Sequence, residues 1–246
     1  MIYVNKFLEN SKADLSIDSV LKYLSTIKIN SVRPVYWAIR FFYKANDIPF
    51  PLKVDEVTQK THINIIKESL TMEEIKAFIE TSKKYYGIMD IGYSAISTIY
   101  AARRAEMYNI EFADINEDIT KLRIKTLKGG EDRVHSIPDE LKEILENFKD
   151  GLKKIKNKPV IQSLNFLYDH ICAKAGIKLR PRLGWHSNRR ALISEFRIIG
   201  FNDNVLRSFC RWKPRERDII MNYDIQDPKR IDSLIFEKHP FLEYWR

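Results

Sequence analysis

Cysteine is nearly missing from this chain. Cys172 and Cys210, the two cysteines among 246 residues, give no Cys-x-x-Cys spacing for zinc and no framework of disulfides, which fits a reducing interior. Long apolar runs are missing too. No stretch reaches the ~20 residues a membrane helix needs, and the opening Met-Ile-Tyr-Val-Asn-Lys-Phe lacks the basic region and apolar core of a signal peptide. A cytoplasmic protein with no membrane partner is expected. There is no Walker-type loop, no Asp/Glu cluster for a two-metal site, no internal repeat and no low-complexity segment, so neither cofactor nor metal is expected. Acidic residues are the scarcer charge: 33 stand against 42 Lys and Arg, for a formal net charge of +9. A polyanionic partner is favoured, with nucleic acid ahead of an anionic membrane surface.

What is present is enough for a core: 44% of the residues are hydrophobic, sufficient for one or two domains. The first 47 residues or so read as short helices, over Ile2 to Glu9, from Ser16, and over Ser31 to Lys44. In the last, Val35, Ile39, Phe42 and Tyr43 recur at helical spacing while Arg33, Arg40 and Lys44 lie to other sides, either a DNA-gripping helix or a solvated basic face. The two prolines of Ile48-Pro-Phe-Pro-Leu52 suggest a linker between domains. Thr71 and Glu74 then form a capping box that opens a helix and a second domain. Residues 119–138 alternate apolar and polar and break at Gly129-Gly130, a β-hairpin signal. Helices follow at about 139–149 and 160–175, separated by the basic run Lys153 to Lys158. Arg180-Pro-Arg182 leads into another helix and is a candidate phosphate contact.

That helix carries Gly184-Trp-His186-Ser-Asn-Arg189, and Arg211-Trp212-Lys213 and Asn222-Tyr223 follow. His186 and Arg189 are three apart, so on a helix they share a face and can address one small anion. A guanidinium binds phosphate oxygens bidentately and an imidazole can hold or pass a proton. The segment resembles the C-terminal signature of the tyrosine recombinase (phage integrase) family: H-x-x-R, a glycine, His or Trp, then the nucleophilic Tyr. Here these read His186, Arg189, Gly200, Trp212 and Tyr223. Upstream, Arg103-Arg104-Ala-Glu106 resembles the family's Arg-x-x-Glu, with Arg103 in register and Arg104 its rival. Lys128, beside the hairpin glycines, resembles the family's mobile lysine, although Leu127 replaces the first glycine of the turn. Ala38 to Tyr43 resembles the end of the SAM-like core-binding domain of Xer-type members, shortened to its second half.

The resemblance implies a mainly α fold with a small antiparallel β-sheet (α+β), in which residues 1–66 form a shortened helical core-binding clamp and 67–246 the catalytic domain with its C-terminal tail. It implies a site-specific recombinase that cleaves and rejoins double-stranded DNA through a 3′-phosphotyrosyl intermediate. Arg103, Lys128, His186, Arg189, Trp212 and Tyr223 would be catalytic, and Arg33, Arg40 and Arg133 would touch DNA. It implies a homo-oligomer on DNA, a tetramer in the synaptic complex, joined through the apolar tail beyond Tyr223; packing of that tail on its own domain is the alternative. A type IB topoisomerase-like enzyme and a non-catalytic DNA-binding relative are the rival functions.

Overall fold

The structure, a computed structural model, describes residues 2–50, 52–53, 69–126, 132–155, 158–212 and 227–246. Lys128 and Tyr223 lie outside the described residues. The chain divides into two compact units, Met1–Ile66 and Lys67–Arg246.

The first unit holds α1 (Ile2–Ser11), α2 (Ile17–Thr26) and α3 (Ile29–Ala45). Ser16 caps α2 by accepting from the Ser19 amide, which satisfies one of the free donors of the first turn. Along α3, Val32, Val35, Tyr36, Ile39 and Tyr43 are buried at helical spacing against Phe7, Val20 and Leu24. The two tyrosines tie the unit down at their polar ends: Tyr36 Oη donates to the Leu52 carbonyl and Tyr43 Oη to the Leu15 carbonyl, both at 2.7 Å. Arg33, Arg40, Trp37 and Phe41 are exposed.

The second unit opens on α4 (Met72–Tyr85), where the Glu74 amide donates to Thr71 Oγ1 at 3.2 Å and the Thr71 amide to Glu74 Oε2 at 3.0 Å. Next come α5 (Ile88–Ile99), α6 (Arg104–Tyr108), β1 (Lys121–Ile124), β2 (Arg133–Ser136), α7 (Lys142–Lys154), α8 (Ser163–Lys174), α9 (Trp185–Ile199), α10 (Asp203–Phe209) and α11 (Pro228–Glu237). Every residue of α5 from Gly92 to Ile99 is buried, so this helix is the axis of the domain. Gly92 permits that: a Cβ there would lie 2.2 Å from Phe148 Cδ2 on α7. Asn188 of α9 reaches Ser97 of α5 at 3.2 Å and accepts from Tyr168 of α8 at 3.2 Å, which fixes the rotation of the H-x-x-R helix.

The strands pair antiparallel with Leu122 opposite His135 and Ile124 opposite Arg133. This register turns Leu122, Ile124, Arg133 and His135 inward and leaves Val134 47% exposed. The basic and imidazole side chains of β2 are inside because Asp232, on α11, meets them there.

In the single chain the tail packs back on its own domain. Ile231, Ile235, Phe241, Leu242 and Trp245 join the core, Trp245 Nε1 donates to Thr98 Oγ1 at 3.1 Å, and His239 Nε2 meets the Ile99 carbonyl at 3.0 Å. Asp227 caps α11 with Pro228 in its first turn.

One residue from each of two basic segments is structural. Lys158 Nζ donates to the Tyr108 and Ile110 carbonyls at 3.0 and 2.7 Å, just past the end of α6. Arg180 makes a two-pronged pair with Glu74 at 2.8 and 3.0 Å and reaches the Ser69 carbonyl at 3.2 Å. It locks the start of α4, so for Arg180 the expectation of a phosphate contact gives way to a clamp, while Arg182 is exposed.

Candidate active site

The site is built around the turn Tyr100-Ala101-Ala102-Arg103 between α5 and α6. Ala101 is held at φ +50°, a left-handed conformation costly for a residue with a Cβ. The outcome is that the carbonyls of residues 100 and 101 point at guanidiniums. Arg189 Nη1 donates to the Ala101 carbonyl and its Nη2 to the Cys210 carbonyl at 2.9 Å. Arg211 donates to the Tyr100 carbonyl through both Nη atoms at 3.2 Å and to the Ala101 carbonyl at 3.4 Å. Two arginines distant in sequence thus share one carbonyl.

Glu106 is the negative centre and is 1% exposed. Its Oε2 accepts from the Arg103 amide at 2.9 Å and from Arg211 Nη2 at 3.0 Å, and its Oε1 takes Arg103 Nη1 at 2.5 Å. Burial raises the carboxyl pKa, but the Arg211 charge and the Arg103 bonds outweigh it and hold Glu106 below the usual carboxylate range. Arg103 is therefore the arginine of the cluster. Arg104 points away, to Asn165 on α8.

Burial lowers the Arg189 guanidinium to about 10, which leaves it charged at neutral pH. Trp212 follows the left-handed Arg211 (φ +58°), and its ring lies 5.7 Å from the Arg189 guanidinium carbon. His186 stands in the first turn of α9, exposed, one turn before the buried Arg189. The structure thus gathers Arg103, Arg189 and Trp212 around one turn and puts His186 on the same helix as Arg189.

Arg133 is a correction. It was expected to touch DNA, yet it is 7% exposed, with Nη2 2.7 Å from Asp232 Oδ1 and 3.1 Å from the Pro228 carbonyl and Nη1 on Ser208. A guanidinium so occupied joins strand to tail and is not offered to a phosphate.

Sequence reasoning missed Arg211, His135 and Asp232. Arg211 Nη1 lies 2.8 Å from His135 Nε2, and His135 Nδ1 lies 3.4 Å from Asp232 Oδ1. A guanidinium can only donate, so Nε2 accepts, the proton sits on Nδ1, and the ring is neutral. Burial, helped by the Arg211 charge, lowers His135 to about 4 in agreement with that tautomer. The one available signal was the adjacency of Arg211 to the signature tryptophan. Among the described residues no group of three or more His, Cys, Asp or Glu could hold a metal, and no helix is long and apolar enough to cross a membrane.

This fold is that of the Xer site-specific recombinases. The chain superposes on the crystal structure of XerA recombinase with a TM-score of 0.52 at 15% identity, covering 97% of this chain and 89% of that one. It superposes on XerH recombinase bound to a palindromic difH substrate, in a post-cleavage complex, with a TM-score of 0.63 at 15% identity, covering 96% and 74%. In sequence it is 26% identical over 217 residues to tyrosine recombinase XerA of Thermococcus kodakarensis, spanning 78% of this chain and 73% of that protein. It is 25% identical over 202 residues to tyrosine recombinase XerA of Pyrococcus furiosus, spanning 75% and 69%. No family model matches the chain. In sequence and in fold the chain is thus similar to tyrosine recombinases.

Proposed function

We propose that this protein is a site-specific recombinase that cleaves and rejoins double-stranded DNA through a 3′-phosphotyrosyl intermediate. The observation that carries the reading is the cluster at the 100–103 turn. Arg103 and Arg211 converge on one carboxylate, Glu106, and Arg189, on the H-x-x-R helix, shares the Ala101 carbonyl with Arg211, so three guanidiniums gather around a single buried acid.

Tyrosine has a pKa near ~10 and attacks poorly unless its proton can leave and phosphate charge is neutralised. In the proposed step Tyr223 Oη forms a bond to phosphorus and the bond from phosphorus to the 5′ oxygen breaks. His186 takes the tyrosine proton, and Lys128 supplies one to the departing 5′ hydroxyl. Arg103 and Arg189 bind the non-bridging oxygens, a contribution on the order of several kcal/mol in the transition state. The Trp212 indole, a donor only, orients the phosphate. Since the phosphotyrosyl ester keeps the energy of the phosphodiester, a second 5′ hydroxyl can reverse the attack, and the chemistry as written calls for no metal or nucleotide.

The reading extends to the rest of the chain. Residues 1–66 serve as a reduced DNA clamp, with Arg33 and Arg40 on its exposed surface, and several copies assemble on DNA, up to a tetramer in the synaptic complex, in the cytoplasm. A tail that bridges copies has to give up the burial of Phe241 and Trp245 in its own domain. Crosslinking of the DNA-bound protein through the tail separates bridging from packing in place.

A nicked suicide duplex carrying a candidate site, incubated with wild type and Tyr223→Phe and run on a denaturing gel, tests the chemistry. A slower covalent band lost in Tyr223→Phe is expected. Wild type that binds DNA and never attaches would leave a DNA-binding protein without strand cleavage.

A further inference from the structure

We propose that Arg211 is a positioning residue that sets the catalytic guanidinium of Arg103 by sharing the carboxylate of Glu106; this rests on the recombinase reading above. Arg211 is 2% exposed, so its charge serves the interior and not a ligand. Its Nη2 lies 3.0 Å from Glu106 Oε2, the oxygen that also accepts from the Arg103 amide, while Arg103 Nη1 holds Oε1. The side chain of Arg103 is 29% exposed and that of Arg211 is fully enclosed. The two arginines therefore divide the work. Arg211 supplies the fully buried countercharge that holds Glu106 in place, and Arg103, which shares the carboxylate from its exposed side, holds one prong on Glu106 and keeps its other donors for a phosphate oxygen.

Arg211 is itself fixed from behind. The neutral His135 accepts its Nη1 at 2.8 Å and is oriented by Asp232, and the carbonyls of Tyr100 and Phe209 take further donors at 3.2 Å. Its backbone has a second task. The left-handed turn at Arg211 follows the end of α10, with the Trp212 amide donating to the Arg207 carbonyl at 2.9 Å, and carries Trp212 towards Arg189. A left-handed residue that is not glycine is uncommon, and here the side chain supplies the reason for keeping one.

The two tasks separate experimentally. Arg211→Gly adopts the left-handed turn without strain and deletes the guanidinium, whereas Arg211→Lys keeps a charge and loses the fork. On the nicked suicide duplex, Arg211→Gly is expected to bind DNA within about twofold of wild type and to form the covalent complex at least tenfold more slowly, with Arg211→Lys between them. Because the effect runs through Arg103, the double variant Arg103→Ala/Arg211→Gly should be no slower than Arg103→Ala alone. Covalent attachment by Arg211→Gly at the wild-type rate, or losses that multiply in the double variant, would overturn the proposal. Should wild type not attach at all, the recombinase reading fails separately, and spectra of 15N-arginine protein without DNA decide about Arg211. The Arg103 Nε–H resonance, assigned by its loss in Arg103→Lys, should move and broaden in Arg211→Gly; an unchanged resonance sinks the positioning role. If thermal melting shows Arg211→Gly unfolded, Arg211→Lys is read by the same resonance.

Discussion

The carboxylate of Asp232 closes a 2.7 Å ion pair with Arg133 across 99 residues of sequence. Its other oxygen accepts the Ser136 amide at 2.6 Å, so one side chain of the tail helix pins β2 by both side chain and backbone. Burial raises the Asp232 pKa, but the His135 bond, the Arg133 charge and the Ser136 amide more than offset it and hold it below the carboxylate norm.

From this pair comes the first prediction. Asp232→Ala leaves the Arg133 charge buried without its counterion, a loss on the order of 3–5 kcal/mol. Urea unfolding should show it as a lowered midpoint. The double variant Asp232→Ala/Arg133→Met should recover part of the loss, because no lone buried charge remains; a double variant as unstable as the sum of the two singles would contradict this account.

Acid should weaken the fold before the carboxylates protonate. Burial lowers both His135 and His239 to about 4, His135 with the added push of Arg211, whereas unfolded histidine takes its proton near ~6.5. Between these values the unfolded chain binds more protons than the folded one. Stability is therefore full above about 6.5 and falls as the pH drops towards 4, by roughly 3 kcal/mol per histidine at most. Equilibrium unfolding at pH 7.5, 6.0 and 5.0 reads the slope, and a flat profile across that range would mean that neither ring is held neutral.

Gly92 sits where α5 meets α7, and a Cβ there would lie within 2.8 Å of three Phe148 atoms. Alanine is the better helix former by about 1 kcal/mol, so on an exposed surface the change would stabilise. Here overpacking wins, and Gly92→Ala is expected to cost about 1–3 kcal/mol net of that gain. Adding Phe148→Leu, which removes ring atoms from the clash, should make the Gly92→Ala step cheaper than it is beside phenylalanine; differential scanning calorimetry of the four variants measures the difference.

These residues also mark what could be read from sequence. Local chemistry was legible: the capping box needs only Thr71 and Glu74, and the buried stripe of α3 follows from Val35, Ile39 and Tyr43 in sequence. Arg103 was distinguishable from Arg104 through its spacing to Glu106. The inner half of the site was not legible, because its contacts span 76 residues for Arg211 with His135 and 105 for Arg211 with Glu106. Strand β2 even inverts the usual rule, exposing Val134 and burying Arg133 and His135, since a carboxylate from the tail makes the polar face the inner one. Period-two patterning cannot register a partner that arrives a hundred residues later.

The same inversion separates the two kinds of arginine that sequence grouped together. Arg40 is exposed, with its guanidinium carbon 5.1 Å from the centre of the Trp37 ring, a planar donor on a surface where a phosphate can reach it. Each phosphate contact that displaces counterions steepens the dependence of log binding constant on log salt by roughly 0.9. Arg40→Ala should therefore flatten that slope by about one unit and weaken binding alike on specific and unrelated duplexes. Arg133→Met should leave the slope unchanged at temperatures where the protein stays folded, because its guanidinium is committed to Asp232 and the Pro228 carbonyl. Fluorescence-anisotropy titrations at four salt concentrations, with circular dichroism to confirm folding, distinguish the two. A flattened slope for folded Arg133→Met would return that residue to the DNA surface.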